Sequence, residues 1–149
     1  MKLSTKGRYG VKSILDLALH NEEWPVALKS IAERQHISEN YLEQLFASLR
    51  KAGYVKSVRG AQGGYILAHS PKDISVGSVL RALEGSLAPV ECVVEDDSVK
   101  CTKSDICVTR LVWEKIRDKV NEVVDSITLA DLIEEHKKNN SNNGYIYNI

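Results

Sequence analysis

The sequence predicts a mainly α-helical chain interrupted by one small β-hairpin. Apolar residues recur at three- and four-residue spacing in five separate stretches, which is the helical period. Two short β-branched and aromatic runs flank a glycine-rich segment, the pattern of a hairpin. An acidic segment with no period separates these elements from the last long periodic stretch.

Val11, Ile14, Leu15 and Ala18 give a first helix over about residues 5–20, ended by Asn21-Glu22-Glu23-Trp24-Pro25. Leu28, Ile31 and Ala32 give a short second helix to about Gln35. Ser38 is placed to cap a third helix, because its hydroxyl can accept from free backbone N–H groups while Glu39 suits the positive end of the dipole. That helix sets Leu42, Leu45, Phe46 and Leu49 on one face and stops near Ala52-Gly53, where glycine can turn left-handed. Its other face carries Asn40, Glu43, Gln44, Ala47, Ser48 and Lys51. A short helix, a tight turn and a longer helix with a hydrogen-bonding outer face form a helix-turn-helix pattern, with an ordinary helical hairpin as the plain alternative.

Tyr54–Val58 and Tyr65–Ala68 are the two strand-like runs, and Arg59-Gly60-Ala61-Gln62-Gly63-Gly64 lies between them. Directly after a candidate recognition helix, a hairpin with a basic, glycine-rich tip reads as the wing of a winged helix-turn-helix. Glycine lets the backbone lie close to a sugar-phosphate rail, and arginine suits a narrow minor groove where negative potential concentrates. A plain surface hairpin is the alternative here. Val76, Val79, Leu80 and Leu83 form a fourth helix after Ser75, and the stretch from Glu84 to about Asp105 reads as loop. Over about residues 107–126, Trp113, Ile116, Val120, Val123 and Ile127 follow the spacing of a coiled-coil seam, which predicts pairing with a second copy. Thr128 with Asp131 resembles a capping box opening a last helix to about Lys138. The polar run from Asn139 predicts a flexible linker ahead of the apolar tail Tyr145–Ile149.

The chain has 149 residues, enough for one sizeable core with an appendage. Its net charge is zero, but residues 1–70 hold ten Lys/Arg against six Asp/Glu, whereas residues 71–149 hold ten against fourteen. The basic half is therefore the candidate for contact with a polyanion. No signal peptide or membrane span is legible, so a cytoplasmic protein is expected. Cys92, Cys101 and Cys107 are an odd number crowded into one loop, which favours metal ligation over a disulfide framework. Thiolates are the ligands iron-sulfur iron prefers, although three of them with one further ligand suit zinc as well.

Thr5-Lys6-Gly7-Arg8-Tyr9-Gly10, Ile37-Ser38-Glu39-Asn40-Tyr41-Leu42-Glu43-Gln44-Leu45, and Val58-Arg59-Gly60 with Gly63-Gly64-Tyr65 carry a resemblance. Through them the chain resembles, to about residue 135, the family of small regulators that includes IscR, NsrR, RirA and CymR. The resemblance implies a homodimeric winged helix-turn-helix transcription regulator of double-stranded DNA at pseudo-palindromic operators, not an enzyme. Because the three cysteines sit where the cluster-binding members have theirs, it is closest to IscR and implies a 2Fe-2S cluster sensing iron-sulfur status, with cluster-assembly genes as targets. A CymR-like regulator of sulfur metabolism answering to a protein or metabolite, and a zinc-stiffened DNA binder, are the alternatives. One position departs from the pattern: Arg110 stands where IscR has a histidine. Arginine stays protonated and is a poor ligand, so the fourth donor is open among Glu91, Asp97, Asp105, a small thiol, solvent, a partner residue and Arg110 itself in an unusual role.

The expected organisation is a DNA-binding unit over 1–84, a cysteine-bearing loop over 85–109, dimerisation and C-terminal helices over 107–138 and a tail over 139–149. Ser38, Asn40, Tyr41, Glu43 and Gln44 are the candidate readers on the third helix, with Gln44 suited to adenine and Ser38 and Tyr41 to phosphate. Glu43 tolerates only a cytosine amino group and so discriminates against wrong sites, and the family resemblance implies a link between this glutamate and cluster-dependent site choice. Lys56, Arg59 and Gly60 are the candidate wing contacts, with Lys2, Lys6 and Arg8 adding backbone contacts. Ordering of the Glu91–Cys107 loop is expected to bias the spacing of the two recognition helices.

Overall fold

The computed structural model describes residues 3–96 and 101–147, with backbone alone for 143–147. Lys2, Asp97 and the end of the apolar tail lie outside the described residues, as do the side chains of Tyr145 to Tyr147. The elements run α1 (Thr5–His20), α2 (Leu28–Gln35), α3 (Glu39–Lys51), β1 (Val55–Val58), β2 (Gly64–Leu67), α4 (Val76–Glu84), α5 (Arg110–Ser126) and α6 (Leu129–Tyr147). Single 3₁₀ turns lie at Pro71–Asp73 and Glu91–Val93. A winged helix with two further helices is therefore the architecture.

The first three helices and α4 enclose one core. Ile14 and Leu17 from α1, Ile31 from α2, Leu42, Leu45, Phe46 and Leu49 from α3, and Val79 and Leu83 from α4 are buried together, closed by Val55, Ile74 and Leu129. Apolar residues at three- and four-residue spacing put these side chains on single faces, which is why the outer faces stay polar. Between α2 and α3, His36 takes a left-handed conformation (φ 54°), and Ile37 drops into the core before Ser38 caps α3.

Two glycines let α1 and α4 approach closely. A Cβ on Gly10 would fall 2.0 Å from Leu83, and one on Gly7 about 3.0 Å from Leu80. At the same contact, the Glu84 carboxylate accepts from the backbone N–H groups of Ser4 (2.8 Å) and Gly7 (3.2 Å) and from the Ser4 hydroxyl. A residue eighty positions away thus supplies the N-terminal cap that the Ser4 side chain does not. Glu84→Ala is expected to destabilise the fold by about 1 kcal/mol, the worth of a helix cap. Denaturant unfolding with an unchanged slope checks it.

The hairpin pairs antiparallel with Val55 opposite Leu67 and Val58 opposite Gly64. A third piece of extended chain, Val26, bridges Tyr65 through two backbone hydrogen bonds of 2.8 and 2.9 Å. Asn21 Oδ1 accepts from the Leu67 backbone N–H at 2.8 Å. The α1–α2 connection is therefore fastened to the wing at both ends.

Two expectations change at the C-terminal side. α5 begins at Arg110, not near residue 107, so Cys107 precedes the helix. α6 does not end near Lys138 but continues through the asparagine-rich run to Tyr147. Within that extension, side-chain bonds cross one turn, from Ser141 Oγ to the Lys137 carbonyl (3.0 Å) and between Asn140 and His136 (3.1 Å). The Thr128–Asp131 capping box is present and reciprocal, at 2.9 and 3.2 Å. The segment read as a loop also contributes buried anchors, Leu87 and Val93.

Candidate nucleic-acid interface and cysteine loop

The first turns of α3 set a polar face opposite the buried Leu42 and Leu45. Ser38 Oγ accepts from the Tyr41 backbone N–H at 3.2 Å, so the hydroxyl serves the helix first. Ser38, Asn40, Glu43 and Gln44 are exposed side by side on the first turns. Tyr41 differs from them: it is half-buried, with its ring edge-on to Tyr9 at 6.1 Å, which ties the start of α3 to α1. On the wing, Lys56, Arg59 and Gly60 are exposed. Lys6 and Arg8 are exposed on the first turn of α1.

The wing glycines have different tasks. Gly60 (φ 118°) occupies a turn conformation with open space around its absent Cβ. Gly63 and Gly64 are required by the hairpin itself, because a Cβ on either would fall 2.3 Å from a backbone oxygen, of Val58 or of Val26 respectively. Part of the glycine content is therefore explained by chain packing inside the protein, with no nucleic acid involved.

One buried group that the apolar spacing does not mark ties α2 to α1. Asp16 is 2% exposed, and its carboxylate accepts from Arg34 Nε at 3.0 and 3.1 Å, Arg34 Nη2 at 2.6 Å and Gln35 Nε2 at 2.8 Å. These bonds pin the last turn of α2 onto α1, immediately before the left-handed His36. The available signal was an aspartate lying between Leu15 and Leu17 in an otherwise apolar segment.

The cysteines lie on two separate pieces of chain. Cys92 is half-buried on the 3₁₀ turn Glu91–Val93, whereas Cys101 and Cys107 are exposed on turns leading to α5. Hydrogen bonding with the Thr109 hydroxyl (3.2 Å), then the Arg110 backbone N–H, holds the Cys107 thiol below its usual pKa. Among the described residues, no three His, Cys, Asp or Glu side chains are gathered to hold a metal ion. The donor set thus suits an iron-sulfur cluster in chemistry, while ligation by all three thiols requires them to be drawn together. Arg110 Nε lies 3.1 Å from Glu114 across one helical turn. Glu91 and Asp105 are exposed.

α5 has no fully buried residue. Trp113, Ile116, Val120 and Ile127 are half-buried, which leaves Val123 of the seam 57% exposed together with Leu111 and Val112. Val120, Val123 and Val124 line an apolar groove of about 940 Å³ shared with Leu3, Leu80 and Leu87. Among the described residues, no helix is long and apolar enough to cross a membrane.

Residues 3–135 match the family described as Rrf2, iron-dependent transcriptional regulator. The chain is similar to the HTH-type transcriptional regulator CymR of Bacillus subtilis, 48% identical over 132 residues that cover 89% of each protein. It is also similar to the HTH-type transcriptional regulator IscR of Pectobacterium carotovorum, 44% identical over 133 residues, 89% of this chain and 79% of the relative. Among solved structures, T. potens IscR superposes with a TM-score of 0.74 at 57% identity, covering 91% of this chain and 88% of that one.

Proposed function

The chain belongs to the Rrf2 family of transcriptional regulators and is of the IscR/CymR type, and from that premise we propose that two copies bind a pseudo-palindromic operator in the cytoplasm under control of a 2Fe-2S cluster held by Cys92, Cys101 and Cys107. The observation that carries the DNA-binding half is the exposed row Ser38, Asn40, Glu43 and Gln44 on a capped helix backed by the core, with Arg59 at the tip of the adjoining wing. In this docking mode the N-terminal turns of α3 enter the major groove, and the two half-sites lie about 34–36 Å apart. Gln44 reads adenine, Glu43 rejects sites lacking a suitably placed cytosine amino group, and Lys56, Arg59 and Gly60 follow the backbone and minor groove. The seam residues left open on α5, Val123 above all, are the surface a second copy covers.

The three-thiol donor set and the 57% identity to an IscR support the sensing half. When bound, the cluster supplies a state that depends on iron and sulfide supply, and its assembly genes are the natural targets. A second reading, a CymR-like regulator answering to a protein or metabolite, is favoured by the 48% identity to CymR and by the ungathered thiols.

Anaerobic purification with an absorption spectrum and iron and sulfide counts, followed by footprinting with and without cluster, tests the proposal. The expected result is a dimer carrying one cluster per chain that protects two half-sites. Replacing all three cysteines by serine abolishes iron binding, and Arg59→Ala weakens operator binding at least tenfold, since both copies lose the contact. Colourless, iron-free protein that still binds operators selects the CymR-like reading. A zinc-loaded, iron-free preparation selects a stiffened DNA binder instead. A monomer that ignores every duplex at low salt overturns the DNA-binding proposal as well.

A further inference from the structure

We infer that Glu95, Asn121 and Arg81 form a linkage that fixes the Cys92 segment to α5 and α4, so that Cys92 is the stationary side of the cysteine loop and movement of that loop is carried into the helix-turn-helix body. The inference deepens the sensing half of the proposed function and rests on it.

The bonds run in one direct line. Three residues after Cys92, the Glu95 carboxylate accepts from Asn121 Nδ2 at 3.2 Å and from the Ser86 hydroxyl at 2.5 Å. Asn121 Oδ1 in turn accepts from Arg81 Nη1 at 3.2 Å, and Arg81 pairs with Asp125. One turn earlier on α5, Arg117 Nη1 donates to the Val93 carbonyl at 2.9 Å, and the Val93 side chain is buried. The segment Cys92–Glu95 is thus held to α5 at two points a helical turn apart. The opposite side differs: Cys101 and Cys107 are exposed, and Cys107 bonds to its near chain neighbours Thr109 and Arg110.

Onward transmission follows from packing. Arg81 sits on α4 between Leu80 and Leu83, whose side chains pack against Gly7 and Gly10 of α1, and Leu83 belongs to the core that supports α3. A Cβ on Gly77 would meet Asp125 and Val124, so α4 and α5 are in direct contact around the same link. Close-packed helices in two discrete arrangements are the element through which such a link can act at a distance. Asn121 is its hinge because one amide both donates to the loop carboxylate and accepts from the α4 arginine, and no apolar residue can do both. Asn121 is a positioning residue in this scheme, since it touches neither thiol nor DNA.

The test uses the full-length protein with Asn121→Ala, and with Asn121→Asp combined with Glu95→Gln, which restores a donor facing an acceptor and keeps an acceptor for Arg81. In metal-free, reduced protein with Cys101 and Cys107 replaced by serine, N-ethylmaleimide should label Cys92 at least fivefold faster in Asn121→Ala than in the parent, and at the parental rate in the paired variant. Amide exchange in α4 should quicken in the same variant. With all three cysteines present, Asn121→Ala should keep its iron content yet lose the difference in operator affinity between loaded and metal-free protein, with the ratio falling to within about twofold of one. Unchanged labelling and exchange, or an affinity ratio that survives Asn121→Ala, overturns the linkage. Should the parent protein take up no iron, the sensing proposal fails on its own evidence, and the labelling and exchange results still decide whether the linkage exists.

Discussion

Replacing Arg34 by alanine is expected to cost more stability than replacing Asp16, although the two residues form one pair. Asp16 is 2% exposed and Arg34 35% exposed. Without Arg34, the carboxylate stays buried with Gln35 Nε2 and a marginal His20 contact at 3.5 Å as its polar neighbours. Stranding a buried charge is the costly way to break such a pair, at about 3–4 kcal/mol. Without Asp16, the arginine can swing into water, and the loss falls to about 2 kcal/mol. Denaturant midpoints of Arg34→Ala, Asp16→Ala and the double variant settle the order. If the two single variants are equal, or the aspartate variant is the weaker, the asymmetry of burial does not control the pair. Because the pair sits at the last turn of α2, both variants should also lose operator affinity through a misplaced α3, with no change in the number of phosphate contacts.

Gly64→Ala carries the other large effect. Its Cβ would fall 2.3 Å from the Val26 oxygen and 2.5 Å from the Val26 carbonyl carbon, atoms of the backbone that have no rotamer to yield. Either β2 moves or the Val26–Tyr65 bridge opens, and the bridge holds two hydrogen bonds. Overpacking plus those bonds amounts to about 3 kcal/mol, which lowers the melting temperature by roughly 10 °C in a chain of this size. Wing contacts should weaken in parallel. A variant that melts with the parent and binds as well would show that β2 shifts freely. By the same reasoning Gly10→Ala is milder, since the atom met there is the end of the Leu83 side chain.

These two sites also show where reading by sequence succeeds and stops. Local signals were fully legible: the apolar period of α1 and α3, the Ser38 cap, left-handed Gly53 after α3, and the Thr128–Asp131 box all depend on residues within a turn of each other. What escaped depends on partners far along the chain. The Glu84 cap on α1 spans eighty positions, and the Asp16–Arg34 pair spans eighteen. A lone aspartate among leucines announces that something must neutralise it, yet not what. The single residue Val26 acting as a third strand has no period to detect. The seam on α5 was legible as apolar spacing, but its division between the chain's own α4 and open surface was not, because both faces use the same residue types. For α6, composition misled: asparagine has low helix propensity, yet the helix runs on through that segment to Tyr147.

The double fastening of the α1–α2 connection makes residues 22–25 a bracketed excursion. Trp24, 66% exposed, stands on an arch whose two feet are Asn21 and Val26, both bonded to the wing. Lengthening an arch between fixed feet costs only about 0.6 kcal/mol per doubling. Extra residues there should therefore ride outside the fold while the helix-turn-helix keeps its shape, which makes this arch the natural place to graft a reporter or an epitope.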